Sequence, residues 1–302
     1  MFARSAIYFD EVAKRRSVRA ASERLRIAPS AVDRQILQLE QQLGIDLFER
    51  STRGLRLTAA GELLVDAVRK WRRDFERVKA QIDALQGLRR GELSIGLVEG
   101  AAQFLSKNLK SFRDLYPGID HRLQVAGSEA VVDLVLRGEC DVGLTFNPPD
   151  SHALRVERTL IYRLGAIVPP SHPLAALTEA SLLQCADYPL VAPDESISLR
   201  AVVDRTWAAA VGTNPRYAVV ASSVSLMKTM IQNGMGVGLL TAIDAFAEIE
   251  RGELVFIPLS DERVPLSALS LISGSGRTLP VAASLLLQHL AGAMQAEPAV
   301  SV

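Results

Sequence analysis

The sequence predicts a multidomain chain: an all-α unit, one long helix, then an α/β body. Three patterns predict it. Apolar residues recur at helical spacing in three short stretches before residue 44. A heptad repeat follows. From Glu92 onward, short apolar runs alternate with helical patterns, which is how α/β layers read in sequence. The composition is globular, with 48% hydrophobic and 23% charged residues in 302, far from the disordered range. A chain of this length suits two or three domains and can bury a large core without disulfide or metal staples.

The first helix is read from Phe2, Ala6, Phe9 and Ala13, with Val12 beside them. Ser17 can cap a second helix whose apolar face uses Ala20, Ala21 and Leu25. A third starts near Pro29-Ser30, runs to about Gln42 on Val32, Ile36, Leu39 and Leu43, and is ended by Gly44. The short gap between the second and third suits a helix-turn-helix. Arg53-Gly54 is then a turn signal between two short extended arms, predicting a two-stranded wing that carries Arg50, Arg53 and Arg56. Three arginines there can contact phosphates or a minor groove, or form a solvated basic loop. One long helix follows from Thr58. Its apolar positions Leu64, Val68, Trp71, Phe75, Val78, Ile82 and Leu85 step 4-3-4-3-4-3. This seam is narrower than a globular stripe and predicts helix pairing between subunits, against docking on its own domain as the alternative.

Lys+Arg and Asp+Glu both number 34, for a net charge of zero. That excludes a uniformly basic coat protein for nucleic acid. The distribution is uneven, however. Residues 1–90 carry 19 basic and 12 acidic side chains, +7, and residues 91–302 carry 15 and 22, −7. A basic first third, cut at Arg89-Arg90-Gly91, points to a domain facing a polyanion, with chance clustering as the alternative. We therefore expect domains at 1–58, 59–90 and 91–302.

Five blocks then match a known family in order and spacing. They are Ala20-Ala21-Ser22-Glu23-Arg24-Leu25, Ser30-Ala31-Val32-Asp33-Arg34-Gln35-Ile36, Leu39-Glu40-Gln41-Gln42-Leu43-Gly44, Leu47-Phe48-Glu49-Arg50, and Leu57-Thr58-Ala59-Ala60-Gly61. Phe9 to Gly61 resembles the N-terminal winged helix-turn-helix of LysR-type transcriptional regulators. The resemblance implies a bacterial homodimer joined through the linker helix, pairing further into a tetramer, that binds double-stranded DNA and works with RNA polymerase. It puts the recognition helix at about Pro29 to Gln42, with Pro29, Ser30, Ala31, Asp33, Arg34 and Gln35 toward DNA. Arg34 can reach a phosphate or a guanine. Asp33 stands where the family usually has Ser. It can accept from a cytosine N4 or adenine N6 amino group. The expected reading is simpler: a capping box with Ser30, in which Asp33 reaches back to the cap amide.

In the remainder, strands are expected at 93–98, 123–126, 141–146, 164–168, 190–192, 217–221, 237–240, 254–258 and 269–272, and helices at 103–115, 129–137 and 280–294. Gly138-Glu139-Cys140-Asp141-Val142-Gly143, Gly234-Met235-Gly236-Val237-Gly238-Leu239-Leu240, Ser171-His172-Pro173-Leu174 and Leu115-Tyr116-Pro117-Gly118 extend the resemblance to the family's effector-binding part. This implies a two-lobed fold similar to periplasmic binding proteins, lobe one at 92–163 plus 267–302 and lobe two at 164–266, with a small effector in the cleft. Strand-to-helix turns there can offer free amides to an anion. Candidates are Glu99-Gly100-Ala101, Gly127-Ser128, Ser196-Ile197-Ser198 and Ser222-Ser223, although each Ser can be an ordinary cap. The family's contacts carry over best to Ser128 and to Ser222 and Ser223, with Asn147 at the hinge. A carboxylate or amino-acid-like effector is expected. Glu99 is the odd member, suiting an amine on the ligand or being a surface acid.

The rival reading is a solute-binding protein or α/β enzyme with a helical extension. Enzyme chemistry finds little support. His121, His152, His172 and His289 are scattered, and no HExxH, Walker loop or GxSxG elbow occurs. Gly234 to Gly238 follows a helix and enters a strand, the reverse of a Rossmann turn. No enzymatic activity, cofactor or metal is expected. Cys140 and Cys185 lack metal-ligand spacing and read as buried thiols. Without a secretion signal or an apolar run of membrane length, the chain is expected to be soluble and cytoplasmic.

Overall fold

Helix boundaries in the first third follow from the groups that satisfy orphan backbone amides and carbonyls. The structure, a computed structural model, describes residues 4–51, 54–85, 91–276, 278–296 and 300–301, side chains excepted at 50, 51, 73, 76, 77, 79–85, 300 and 301. Two units emerge, Met1–Lys79 and Ala80–Val302. The first contains α1 (Arg4–Arg15), α2 (Val18–Leu25), α3 (Pro29–Leu43), the antiparallel hairpin β1 (Phe48–Ser51) and β2 (Gly54–Leu57), and most of α4 (Ala59–Leu85). Ser17 caps α2 through the Ala20 amide. Gly44, at φ +68°, ends α3. Thr58 accepts from the Gly61 amide at 3.0 Å and donates to the Asp46 carbonyl, which starts α4.

The expected capping box on α3 is not made. The cap position is Ala28, without a side-chain bond, and Pro29 opens the helix. Pro29 lacks the N–H that a cap would satisfy and has its φ already set for a helix. Ser30 therefore lies inside the first turn, and Asp33 has no cap amide to reach.

Phe9, Val12, Ala21, Val32, Ile36, Leu47, Val65 and Val68 form the core of this unit, with Leu64 packed against it. Leu64 and Val68 thus serve their own domain, which corrects the reading of the whole heptad seam as intersubunit. The seam is open only from Trp71, 54% exposed, through Phe75 (46%) and Val78 (50%). The side chains of Ile82 and Leu85 lie outside the described residues, as do Arg89 and Arg90 at the expected boundary.

Asp10 locks α1 to α4. It is 4% exposed and receives Lys14 Nζ at 2.8 Å, Arg69 Nε at 3.1 Å and Arg72 at 3.5 Å. Burial alone would push its carboxyl up, but the hydrogen bonds and charges of Lys14 and Arg69 outweigh this and hold it below the usual range.

The second unit holds two sheets. One has the order β13-β6-β12-β5-β3-β4, from β3 (Gly91–Leu97), β4 (Ile119–Val125), β5 (Val142–Phe146), β6 (Leu154–Tyr162), β12 (Ser267–Gly274) and β13 (Val300–Ser301). The other has the order β11-β7-β10-β8-β9, from β7 (Leu164–Val168), β8 (Leu190–Pro193), β9 (Tyr217–Ala221), β10 (Val237–Thr241) and β11 (Val255–Pro258). The chain crosses between them twice, at β6 to β7 and β11 to β12. Helices α5 (Ala102–Leu115), α6 (Ser128–Leu136) and α11 (Val281–Ala296) accompany the first sheet, and α7 (Leu182–Cys185), α8 (Leu199–Val211), α9 (Val224–Gln232) and α10 (Phe246–Glu250) the second. Each sheet has its own core. One is centred on Leu93 and Ile95 of β3 with Leu144, Leu271 and Leu286, the other on Ala166, Val168, Trp207 and Leu239.

β6 is not among the strands expected from sequence. Arg155, Glu157 and Arg158 interrupt its apolar pattern, and the pairing with β12 slips by one residue between Leu271 and Ile272. A bulge of that kind breaks the period-2 alternation by which a strand is recognised. Cys140 and Cys185 are both free and buried. Burial, aided by nearby carboxylates, pushes each thiol up to about 12, so neither is a thiolate near neutrality.

Replacing Asp10 by Asn should cost about 1.5–3 kcal/mol at neutral pH, the usual size of hydrogen bonds to a charged group. A carboxyl lowered in the folded state stabilises fully above its unfolded pKa and loses that contribution as the pH falls through its folded one. Urea unfolding of the full chain should therefore show the gap between wild type and Asp10→Asn closing in acid. A gap that persists unchanged at low pH would show that charge is not the cause.

Candidate functional sites: a helix-turn-helix face and an inter-lobe cleft

In the first unit, α2 turns into α3 over three residues. Arg26, at φ +55°, gives its N–H to the Glu23 and Ser22 carbonyls. The start of α3 is then free to project. Pro29, Ser30, Ala31 and Arg34 are exposed, and Asp33 and Gln35 half-buried. Gln35 donates to Gln38 at 2.7 Å. Among the described residues neither Arg34 nor Asp33 has a side-chain partner. Glu40, on the same helix, accepts from the Leu47 and Phe48 amides at 2.8 and 3.3 Å and so sets the wing against it. The wing is also seated on the end of α1. Leu55 N–H donates to the Arg16 carbonyl, and a Cβ at Gly54, φ +107°, would meet that oxygen at 2.8 Å. Arg56 is exposed. Arg53 and the Arg50 side chain lie outside the described residues.

In the second unit, a cleft of about 870 Å³ separates the two sheets' helix-bearing edges. Of the nine residues expected there, Glu99, Gly100, Ser128, Asn147, Ser196, Ser198 and Ser222 line it. Ala101 does not, being fully buried in the core, and Ser223 does not. Two helices point uncapped N-termini into the cleft: α6, after Gly127, and α8, after Ser198. Their first turns meet at Ser128 Oγ and Ser198 Oγ, 3.0 Å apart. Ser128 is only 8% exposed.

The third N-terminus, α9, is already filled. Glu99 Oε2 accepts from the Val224 amide at 2.8 Å, and Oε1 from the Ser225 amide at 2.8 Å and the Ser223 hydroxyl at 3.1 Å. Ser223 in turn caps the Leu226 amide. Ser223 is thus an N-cap, and Glu99 is neither a surface acid nor a free partner for a ligand amine. Burial works against its charge, but the hydrogen bonds from Ser225, Val224 and Ser223 outweigh burial and hold it below the usual carboxylate range. Asn147, at φ +47°, is also engaged: its Oδ1 accepts from the Ala268 amide at 2.9 Å and its own N–H donates to the Ala268 carbonyl. It ties the end of β5 to the start of β12, where the second crossover arrives.

Sequence reading misses two further groups at the cleft. Asp244 accepts from the Thr241 amide and hydroxyl, and burial pushes its carboxyl up. Its other oxygen leaves no room for a side chain at Gly100, where a Cβ would lie 1.9 Å away. Arg200 sits in the first turn of α8, where the helix dipole disfavours a cation. It is held by Asp204 at 2.8 Å and the Pro193 carbonyl at 3.1 Å, and stacks 4.4 Å over Tyr217, whose hydroxyl also bonds Asp204. A basic residue so soon after a capping turn, with an acid four residues on, is the available signal.

Both units match family profiles. Residues 4–62 match the bacterial regulatory helix-turn-helix protein, lysR family, and residues 86–295 the LysR substrate binding domain. The RuBisCO operon transcriptional regulator of Allochromatium vinosum is 27% identical over 247 residues, which cover 82% of this chain and 82% of that protein. Full-length CbnR complexed with its target DNA has the same fold, with a TM-score of 0.73 at 22% identity over 96% of this chain and 99% of CbnR. So does the Synechocystis PCC6803 CcmR regulatory domain in complex with 2-PG, with a TM-score of 0.62 at 23% identity over 70% of this chain and 100% of that domain. Because the substrate-domain profile alone spans more than half of the sequence and the helix-turn-helix profile the unit before it, the chain belongs to the LysR family and is a DNA-binding transcriptional regulator with a substrate-binding domain.

Proposed function

We propose that this regulator senses a small anionic molecule between α6 and α8 and converts its occupancy into altered promoter binding by a homodimer in the cytoplasm. The observation that carries the proposal is the pair of uncapped helix N-termini meeting at Ser128 and Ser198. Such ends hold unpaired amides and partial positive charge, which favour an anionic group. That the CcmR regulatory domain was solved with 2-PG supports ligand binding in a domain of this fold. Ligand that binds one lobe arrangement better than another shifts the population toward it, and the same free energy then reaches the DNA contacts. On the DNA side, Pro29, Ser30, Ala31, Arg34 and Gln35 face the major groove and Arg56 a phosphate. In sequence, Arg50 and Arg53 add two further positive charges for phosphate contacts. With no capping box to occupy it, Asp33 accepts a base amino group and narrows the operator. Dimers form along α4 from Trp71 to Leu85, pair into tetramers, and meet RNA polymerase at the promoter.

Arg34→Ala should weaken operator binding by about 1–3 kcal/mol, read by gel-shift competition. Asp33→Ser should relax preference at one base pair. If no single-base variant of the operator changes rank, Asp33 does not read a base. Trp71→Glu with Val78→Glu should give monomers in sedimentation at concentrations where the wild type is dimeric; an unchanged mass would place the dimer contact elsewhere. In a thermal-shift screen of small carboxylates and amino acids, a hit should raise the Tm of the wild type. It should leave Ser198→Leu unmoved and change the wild-type footprint or bend. A hit that stabilises both proteins equally binds outside this cleft.

A further inference from the structure

The strongest unexplained arrangement in the molecule is a carboxylate where the fold prepares a place for a ligand. Glu99 lies just beyond β3, in a short 3-10 turn (Glu99–Ala101) of the first sheet's lobe. The groups it binds lie at the start of α9, in the other lobe. A helix of nine residues with two free amides and a serine hydroxyl converging on one point is an anion seat. Here the anion is covalently part of the chain.

We propose that Glu99 is a built-in ligand: it fills the α9 anion seat, clasps the two lobes at that end of the cleft, and excludes effector carboxylates from it. The three contacts are charge-assisted and take up both carboxylate oxygens. A second carboxylate brought to the same amides would meet Glu99 as a like charge at close range. The position of Glu99 is itself fixed from behind. Gly100 packs against the buried Asp244 carboxyl with no room for a Cβ, so the turn cannot swing without losing that contact. The effector's anionic group is thereby confined to the α6 and α8 ends, and what it directs toward α9 carries no negative charge. This constraint on the effector rests on the cleft being the effector site, whereas occupancy of the seat by Glu99 can be tested without any effector.

Glu99→Ala removes a methylene and a carboxylate, which together have the size of one acetate ion. In chloride buffer the full-length variant should melt below the wild type. Acetate at matched ionic strength should raise its Tm by about 3 °C at roughly ten times the acetate Kd, and leave the wild type unmoved. Glu99→Gln, which fills the seat without charge, should be lowered in Tm and unresponsive to acetate. Amide exchange on the unmodified protein gives a reading that needs no variant: Val224 and Ser225 should be protected in buffer free of carboxylates. The proposal is overturned if acetate moves wild type and Glu99→Ala alike, if a folded Glu99→Ala ignores acetate, or if those two amides exchange freely in the wild type. Each of these results leaves the Ser198→Leu test of the effector site standing or falling by itself.

Discussion

Parallel strand pairing is the constraint from which the rest of the second unit follows. A strand whose neighbour is parallel cannot be reached by a hairpin, so the chain must return through a crossover, usually a helix. β3, β4 and β5 pair in parallel in one sheet, as do β9, β8 and β10 in the other. Each strand's carboxyl end therefore opens into a turn at one edge of its sheet. In this chain the two edges face each other, and the turns after β3, β4, β8 and β9 line one cleft through residues 98–100, 126–128, 195–198, 222 and 224. Ligand chemistry needs nothing beyond this geometry: amides, small hydroxyls and positive helix ends arrive there because the topology leaves them nowhere else.

The acidic excess of that unit takes on a different meaning in this setting. Several of its carboxylates serve as internal caps rather than as surface charge. Asp194 accepts from the Ser196 amide, Asp261 from the Leu182 amide, Asp141 from the Ser94 amide, and Asp244 from Thr241. Glu99 does the same for a helix in the opposite lobe. A carboxylate that receives backbone amides is held in place by them. The negative count of residues 91–302 thus records how the turns are fastened as much as what the surface repels. In the first unit Glu40 does the same for the wing amides, whereas Asp10 is held by side-chain cations.

Local signals in the sequence suffice for the elements that terminate by their own chemistry. Ser17, Gly44, Thr58 and the glycine turn from α9 into β10 lie where their side chains or φ preferences say they should. The signals fail where a partner distant in sequence decides. β6 is stabilised by pairing with β12 across more than a hundred residues and carries a bulge, so its own pattern is irregular. Ser30 and Asp33 have capping-box spacing, but Pro29 at the first helical position moves the cap back to Ala28. Glu99 stands out of place in the sequence, yet its meaning requires Val224 and Ser225, which no local pattern brings near. Most of the residues expected at the cleft do line it, because turn position is a topological property. Their individual roles are hidden because hydrogen bonding is a tertiary one.

The heptad of α4 shows how one apolar stripe divides between two tasks. A strict 3.5-residue repeat falls behind a straight helix by about 20° in every heptad. A stripe that starts against its own domain at Leu64 and Val68 therefore cannot stay over that core along the whole helix. The ion pairs mark where it leaves. Arg69 and Arg72 flank the stripe and reach back to Asp10, which holds the helix on α1 up to that turn. Trp71 lies between them on the apolar face and is already half exposed. Among the described residues, burial inside the unit ends at the same turn as the last cation bound to Asp10, and the stripe beyond it runs exposed through Trp71 and Val78.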